Sequence, residues 1–246
     1  MSFDITQAQG VGSDNLEDSS ALPIIRILQD QSPEINKRKD KYIEGAEAGD
    51  LYWNSEQRTL ERPLKFIPVK SVALYSEWIP KDEGGGLVAI HNLDIVHDER
   101  YKKDVKRLND EWLGDHELKY TRYWMILAHI DGEWQKAMLA MTSTQLKVAR
   151  ELSRVIKSFR YESMPEINPP IFARSFELAT IVEKNKADQE YFNFTVKPLD
   201  VLDFDDDKEL LDQSFSCFKE ASESLPSPGA VAAPVELPVA SEGEPF

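Results

Sequence analysis

The chain has 246 residues, with 44 Asp and Glu against 29 Lys and Arg, a formal net charge of −15 and a single cysteine, Cys217. A hydrophobic content of 41% suffices to bury a core, which excludes wholesale disorder. No apolar run approaches the ~20 residues of a membrane span, and one cysteine excludes an intrachain disulfide framework and Cys-based zinc sites.

Residues 21–62 alternate apolar and turn-like pieces: PIIRILQ, the basic cluster Lys37-Arg38-Lys39-Asp40-Lys41, then KYIEGAEAGDLYW. This pattern predicts short extended segments joined by loops. Lys65–Trp78 is β-branched and aromatic and reads as a strand, with Pro68 marking an edge or a strand start. Gly84-Gly85-Gly86 precedes a further strand, LVAIH, and Glu99–Trp112, carrying Lys102, Lys103, Lys106 and Arg107, reads as helix or loop. His116–Ile130 and Glu133–Met141 form a predicted hairpin turning at Asp131-Gly132, a pair that tolerates positive φ. Thr142-Ser143-Thr144 supplies an N-cap for a helix over 144–160. Val148, Leu152, Val155, Ile156 and Phe159 share one face of that helix, and Lys147, Arg150, Arg154 and Lys157 fall within roughly 80° on the other. Ile171–Val182 and Glu190–Leu202 are two more strands, and Leu210, Leu211, Phe215 and Phe218 mark a short amphipathic helix beyond them. The expectation is a mostly β chain: an OB-fold-like antiparallel barrel of five or six strands with one main helix. An SH3-like barrel or a β-sandwich would give a similar pattern, whereas the absence of a 20–50-residue repeat disfavours solenoids and propellers.

The negative charge is unevenly spread. Residues 1–20 are net −4, residues 21–198 net −1 and residues 199–246 net −10. Taken whole, the charge argues against nucleic acid, because phosphate repels an acidic surface; taken by segment, it belongs to the two ends. The expected organisation is an acidic disordered segment 1–20, a folded domain 21–202, and an acidic, Pro-rich disordered tail 203–246. The N-terminal MSFDITQAQG lacks the basic and apolar regions of a secretory signal, so the expected location is the cytoplasm.

Enzyme signatures are sparse. There is no Gly-x-Gly-x-x-Gly, P-loop or Gly-x-Ser-x-Gly, and His91, His97, His116 and His129 have no partner at helical spacing, so they read as structural. The run Asp203–Asp207 could be imagined as a metal-dependent nuclease site, but contiguous carboxylates do not converge as such a site requires. No cofactor or metal is expected. What remains is aromatic and cationic side chains alternating on strands: Tyr120, Arg122, Trp124; Phe172, Arg174, Phe176; Trp134 with Lys136; and Lys65, Lys70, Tyr75 and Trp78. Rings two residues apart on a sheet can stack successive unpaired bases, at ~1–3 kcal/mol each, with the cations meeting phosphates. The competing reading is that these rings are core and the arginines snorkel at its rim. Lys37, Arg38 and Lys39, and the helix cations Lys147, Arg150, Arg154 and Lys157, would add phosphate contacts.

The chain closes Glu242-Gly243-Glu244-Pro245-Phe246. An acidic, Pro-containing tail ending in Pro-Phe is similar to the C-terminal tip of bacterial single-stranded-DNA-binding proteins. The body resembles the single-stranded-DNA-binding proteins of tailed bacteriophages through PIIRILQ with Ser32-Pro33-Glu34, Lys41–Ala46 with Gly49-Asp50, the triple glycine, and Met141–Lys147. The resemblance implies a non-enzymatic OB-fold protein that coats single strands in phage DNA replication and recombination. Its tail would compete with DNA, and its tip (Glu242, Glu244, Pro245, Phe246) would recruit replication or repair proteins. The alternative from another class is a virion or assembly-scaffold protein with acidic interaction tails.

Overall fold

The computed structural model describes residues 22–80, 83, 85–104, 110–185 and 188–226. Segment 1–20, Gly84, Lys106, Arg107 and the terminal Glu242–Phe246 lie outside the described residues. The chain is mostly β: an eight-stranded antiparallel sheet curled into a half-barrel, a three-stranded sheet, and two helices.

The small sheet is β1 (Ile25–Ile27), β2 (Leu51–Trp53) and β3 (Arg58–Leu60). The large one runs from β4 (Leu64–Trp78) and β5 (Leu87–His91), through the hairpin β6 (Tyr101–Asp104) and β7 (Asp110–Leu113), to the hairpin β8 (His116–Ile130) and β9 (Glu133–Thr142). Helix α1 (Leu146–Ser158) follows, then β10 (Arg174–Lys184), β11 (Glu190–Val201) and helix α2 (Lys208–Ser224). The spine is β4 against β8, in register from Phe66 opposite Ala128 to Trp78 opposite Glu117. The β8–β9 hairpin turns at Asp131 (φ 53°) and Gly132 (φ 86°), the double positive φ that a two-residue turn of this hand demands.

Strand β8 explains the layering. Trp124, Ile126, Ala128 and Ile130 point into a core shared with β1, β2, Phe176 and the apolar face of α1 (Val148, Ala149, Leu152). Tyr123, Met125 and Leu127 point the other way, into a second core capped by Cys217, Ala221 and Leu225 at α2. A strand buried on both faces needs a continuous apolar run, which Tyr123–Ala128 supplies.

Several expectations are corrected. Among the described residues the sheets contain eleven strands, not five or six. Glu99–Trp112 contributes the β6–β7 hairpin rather than a helix or loop. Its charges pair across strands, Lys103 with Glu111 at 3.1 Å, and Leu113 joins Tyr75 and Leu118 in a small third core. Pro68 lies inside β4, at a register shift between Pro68 and Lys70, on a stretch where β4 has lost β10 and not yet met β5, so its missing N–H costs no ladder bond on that side. Thr142–Thr144 does not cap α1. Thr142 donates its hydroxyl to the Tyr120 carbonyl (3.2 Å), Ser143–Gln145 forms a 3-10 turn, and the cap position is Gln145, without a side-chain cap bond.

The tail boundary also moves. Residues 203–226 are folded: Asp203 accepts from the amides of Asp205 (2.8 Å) and Asp206 (3.1 Å) in a turn leading into α2. Helix α2 then buries Ser214, Cys217 and Ala221 at spacings of three and four. Most of the C-terminal acid therefore sits on folded chain, with eight acidic residues against Lys208 and Lys219 between 203 and 226, four in the turn and four on α2.

The two sheets are joined along two lines. On one side Ile24 bridges to Met138 of β9, and the Met138 amide donates to the Pro23 carbonyl at 2.7 Å. On the other, the Gln29 side chain acts as a surrogate strand for β11: its Nε2 donates to the Phe192 carbonyl (2.8 Å) and its Oε1 accepts the Phe192 amide (3.0 Å). Beside it Gly49, at φ 91°, lies so close to the Phe192 ring that a Cβ would come within 2.5 Å of it. The Gly49 carbonyl accepts from Thr180 Oγ1 (2.7 Å) and Arg62 Nη1 (2.8 Å), and Arg62 pairs with Asp50 at 2.7 Å. Removing the surrogate with Gln29→Ala leaves both Phe192 main-chain groups unpaired and is expected to cost ~1–3 kcal/mol in urea unfolding. The Phe192 amide should lose its protection in hydrogen exchange while amides of the β4–β8 ladder keep theirs; unchanged protection would show that Gln29 does not hold the seam.

Candidate nucleic-acid interface

Four of the rings expected to stack bases are in the cores. Trp124 and Phe176 are 1% exposed, Tyr75 8% and Phe172 9%. Phe176 packs on Phe66 at 5.7 Å, Tyr75 meets Tyr120 edge-on at 5.6 Å, and Phe172 lies against Phe215 and Phe218 of α2. A period of two identifies one face of a strand but not whether that face is covered, and here both are. Tyr120 and Arg122 are half-buried neighbours, the guanidinium 3.4 Å from the phenol oxygen, and Trp78 is half-buried at the end of β4.

A second group of expected residues lies near α2 and is engaged by α2 or by the end of β11. Lys136 pairs with Glu220 (2.5 Å), Lys65 with Asp200 (3.1 Å), and Lys70 sits 5.6 Å over the Phe218 ring. Trp134 meets His129 at a tilt (centroids 5.0 Å apart), and with Lys65, Asp200 and Asp207 both rings line a cleft of about 460 Å³. Carboxylates outnumber the lysine in that cleft, which makes it a poor seat for phosphate.

The remaining cations are on the surface. Lys37, Arg38 and Lys39 are exposed on the turns after Pro33–Ile35, a loop anchored from beneath by the buried Arg26–Glu34 ion pair. On α1, Lys147 is tied to Glu183, which also accepts from Tyr191 (2.8 Å) and Asn193 (3.0 Å). Burial works to raise the Glu183 pKa, but the hydrogen bonds from Asn193, Lys147 and Tyr191 outweigh it and hold the group below its ordinary value. Arg154 makes a loose contact with Glu151 at 3.3 Å, while Arg150 and Lys157 are exposed and form no ion pair with any described residue.

Where α1 ends, the structure joins the expected Arg174 to a ladder of rings that sequence reasoning missed. Arg174 lies 5.0 Å over the Phe159 ring, Phe159 meets Tyr161 at 5.3 Å, and Tyr161 meets Phe204 at 5.2 Å. Phe204 is 51% exposed, so the ladder of rings ends with an open face. Arg160 stands beside it, exposed, its guanidinium donating to the carbonyls of Lys157 (2.8 Å) and Phe159 (2.6 Å). The spacing Phe159-Arg160-Tyr161 was visible in the sequence. Nothing local connects it to Phe204, which stands more than forty residues on among aspartates. Chemically, the α1 end offers a row of guanidinium and ammonium groups leading to a stacking surface.

The family described as Pam3 phage gp34-like protein matches residues 2–225. The chain belongs to that family. It is thus a phage protein, and the match runs through α2. No curated protein and no solved structure matches the chain. No helix among the described residues is long and apolar enough to cross a membrane. No cluster of carboxylate, histidine or thiol groups among the described residues could hold a metal ion, and Asp203 and Asp207 spend their carboxylates on the turn before α2.

Two of the histidines have a definite structural task. His91 Nε2 and His116 Nδ1 each lie 2.6 Å from opposite oxygens of Glu77, which is buried on β4, and so bind β5 and the start of β8 to it. Burial works to raise the Glu77 pKa, but hydrogen bonds from His116 and His91 outweigh it and leave the group below its ordinary 4.5. A depressed carboxylate contributes stability that is complete above the unfolded value and is lost as pH falls through the folded one. Glu77→Gln should therefore unfold at lower urea at neutral pH, by ~1–3 kcal/mol. It should also lose less further stability than the parent protein on acidification below about pH 4.5. Parallel urea curves for both proteins across that range would show the imidazole contacts to be incidental.

Proposed function

We propose that this phage protein is a sequence-independent single-stranded-DNA-binding protein acting in DNA replication and recombination, and that it performs no catalysis. The observation that carries the reading is the end of α1, where Arg150, Arg154, Lys157 and Arg160 lead to the Phe159–Tyr161–Phe204 ladder. In this reading the backbone of a single strand follows the α1 cations and a base stacks on the open face of Phe204, with Arg174 polarising the ladder from the other end. Lys37, Arg38 and Lys39 extend the electrostatic path. The half-barrel, closed by Gln29 and followed after β9 by a helix that plugs its core, supports an OB-like description of the fold. The segment 227–246, with three acidic residues and no cation, competes with DNA, and its Pro245-Phe246 end recruits replication or repair proteins.

The reading requires salt-dependent binding of labelled oligo-dT in fluorescence anisotropy. Arg150→Glu with Lys157→Glu should weaken binding at least about tenfold and reduce the dependence of log K on log salt by about one to two. Phe204→Ala should weaken it by ~1–3 kcal/mol with little change in salt dependence. Absence of salt-dependent binding by the parent protein would refute the DNA reading and favour a virion or scaffold role.

Deletion of 227–246, which leaves α2 in place, should tighten oligo-dT binding, most at low salt. Equal or weaker binding would refute the competition role alone.

A further inference from the structure

Helix α2 carries two apolar stripes, one buried against the sheet and one that touches the body only along an edge, at Phe172 and Lys70. Leu210, Ser214, Cys217 and Ala221 face the sheet. Phe215 and Phe218 lie roughly 70–130° further round the helix, and they remain 48% and 39% exposed. Two adjacent phenylalanines left this open on a helix whose other face is already docked mark a contact surface.

The charges around the stripe specify what covers it. Nucleic acid is disfavoured at this stripe, because α2 itself carries Glu209, Asp212, Glu220 and Glu223 against two lysines. The two lysines flank the stripe. Lys219 lies 4.2 Å over the Phe215 ring, and Lys208 pairs with Asp212 at 2.5 Å one turn before it. Antiparallel pairing of α2 with itself, about a two-fold axis beside Phe215 and Ser216, sets Lys219 opposite Asp212 of the other copy and again the reverse. A two-fold contact requires that self-complementarity. We infer that the Phe215–Phe218 face of α2 is the interface of a homodimer, with the phenylalanines interleaved at the centre and reciprocal Lys219–Asp212 pairs at the rim.

The test is the mass of the full chain by analytical ultracentrifugation over a concentration series. The parent protein is expected to dimerise. Phe215→Glu with Phe218→Glu should raise the dimer dissociation constant at least about tenfold, with far-UV circular dichroism unchanged because both rings stay well exposed and meet the body only at Phe172 and Lys70. Lys219→Asp alone should weaken the dimer, and adding Asp212→Lys should restore it, a rescue that loss of folding could not produce. A parent protein that stays monomeric, or a Phe215/Phe218 variant that dimerises like the parent, overturns the inference. So does a variant that loses oligo-dT affinity while its oligomeric state is unchanged, which would make the stripe a nucleic-acid surface.

Discussion

The fold depends on a seam that no continuous strand pairing closes. An open curled sheet must end somewhere, and its last strand, β11, exposes main-chain groups that need partners. Here the partner is an amide side chain, Gln29, which offers one donor and one acceptor in the geometry of a peptide unit. A side chain in that role must be held as rigidly as a backbone. The Ser32 hydroxyl accepts the Gln29 amide at 2.8 Å, the buried Arg26–Glu34 pair fixes the loop beneath, and Arg26 is stacked 4.6 Å from the Tyr52 ring. Gly49 completes the arrangement because only a residue without a Cβ can lie against Phe192 at that distance. The segments that suggested a resemblance, PIIRILQ with Ser-Pro-Glu and the stretch ending Gly49-Asp50, contain this seam. What they encode is the joining of the two sheets.

Burial on both faces of β4, β8 and β9 has a consequence for function. Where α1 and α2 cover its two faces, at β4, β8 and β9, the sheet leaves no open platform on which bases could stack in succession. Contact with a ligand is therefore confined to the helices, the loops and the sheet margins. That confinement separates Trp124 and Phe176, which are core, from Phe204, whose ring emerges only because the chain turns sharply at Asp203 before entering α2.

Legibility in the sequence followed the range of the interactions. The β4 strand, the β8–β9 hairpin with its Asp-Gly turn, the β10 and β11 strands and the amphipathic α1 were readable because period and turn chemistry are local. The β6–β7 hairpin was not, because its alternation of charge is satisfied across strands, Lys103 to Glu111, and a charged run looks the same on a solvated helix. The docking of α2 escaped for a related reason: the sequence showed Leu210, Leu211, Phe215 and Phe218, but the face that docks is built from small residues, Ser214, Cys217 and Ala221, which carry little hydrophobic signal yet allow close approach. The site divides in the same way. The α1 cations could be read off a helical wheel. The Phe159–Tyr161–Phe204 ladder depends on three segments meeting in space.

The placement of α2 also changes what a net charge of −15 means for an anionic ligand. Had the acidic C-terminal region been a free tail, its charge could have reached any surface of the molecule. Docked through Cys217 and Ala221, and tied to β9 by Lys136–Glu220, the acid of α2 is held on the face of the sheet opposite α1, whereas the aspartates on either side of Phe204 stay near the end of α1 through the Tyr161–Phe204 contact. Two helices on opposite faces of a sheet are separated by two packing layers of about 10 Å each, and charges are screened beyond about 8 Å at physiological salt. The α1 cations therefore act on an approaching phosphate largely without interference from α2, and the acid they must offset is that of the Asp203–Asp207 turn. In dilute salt the screening length grows past the thickness of the sheet, and the acidic face then opposes the basic one through the molecule. The charge asymmetry of the chain is thus expressed as a salt-dependent polarity between two faces, fixed by which core each helix fills.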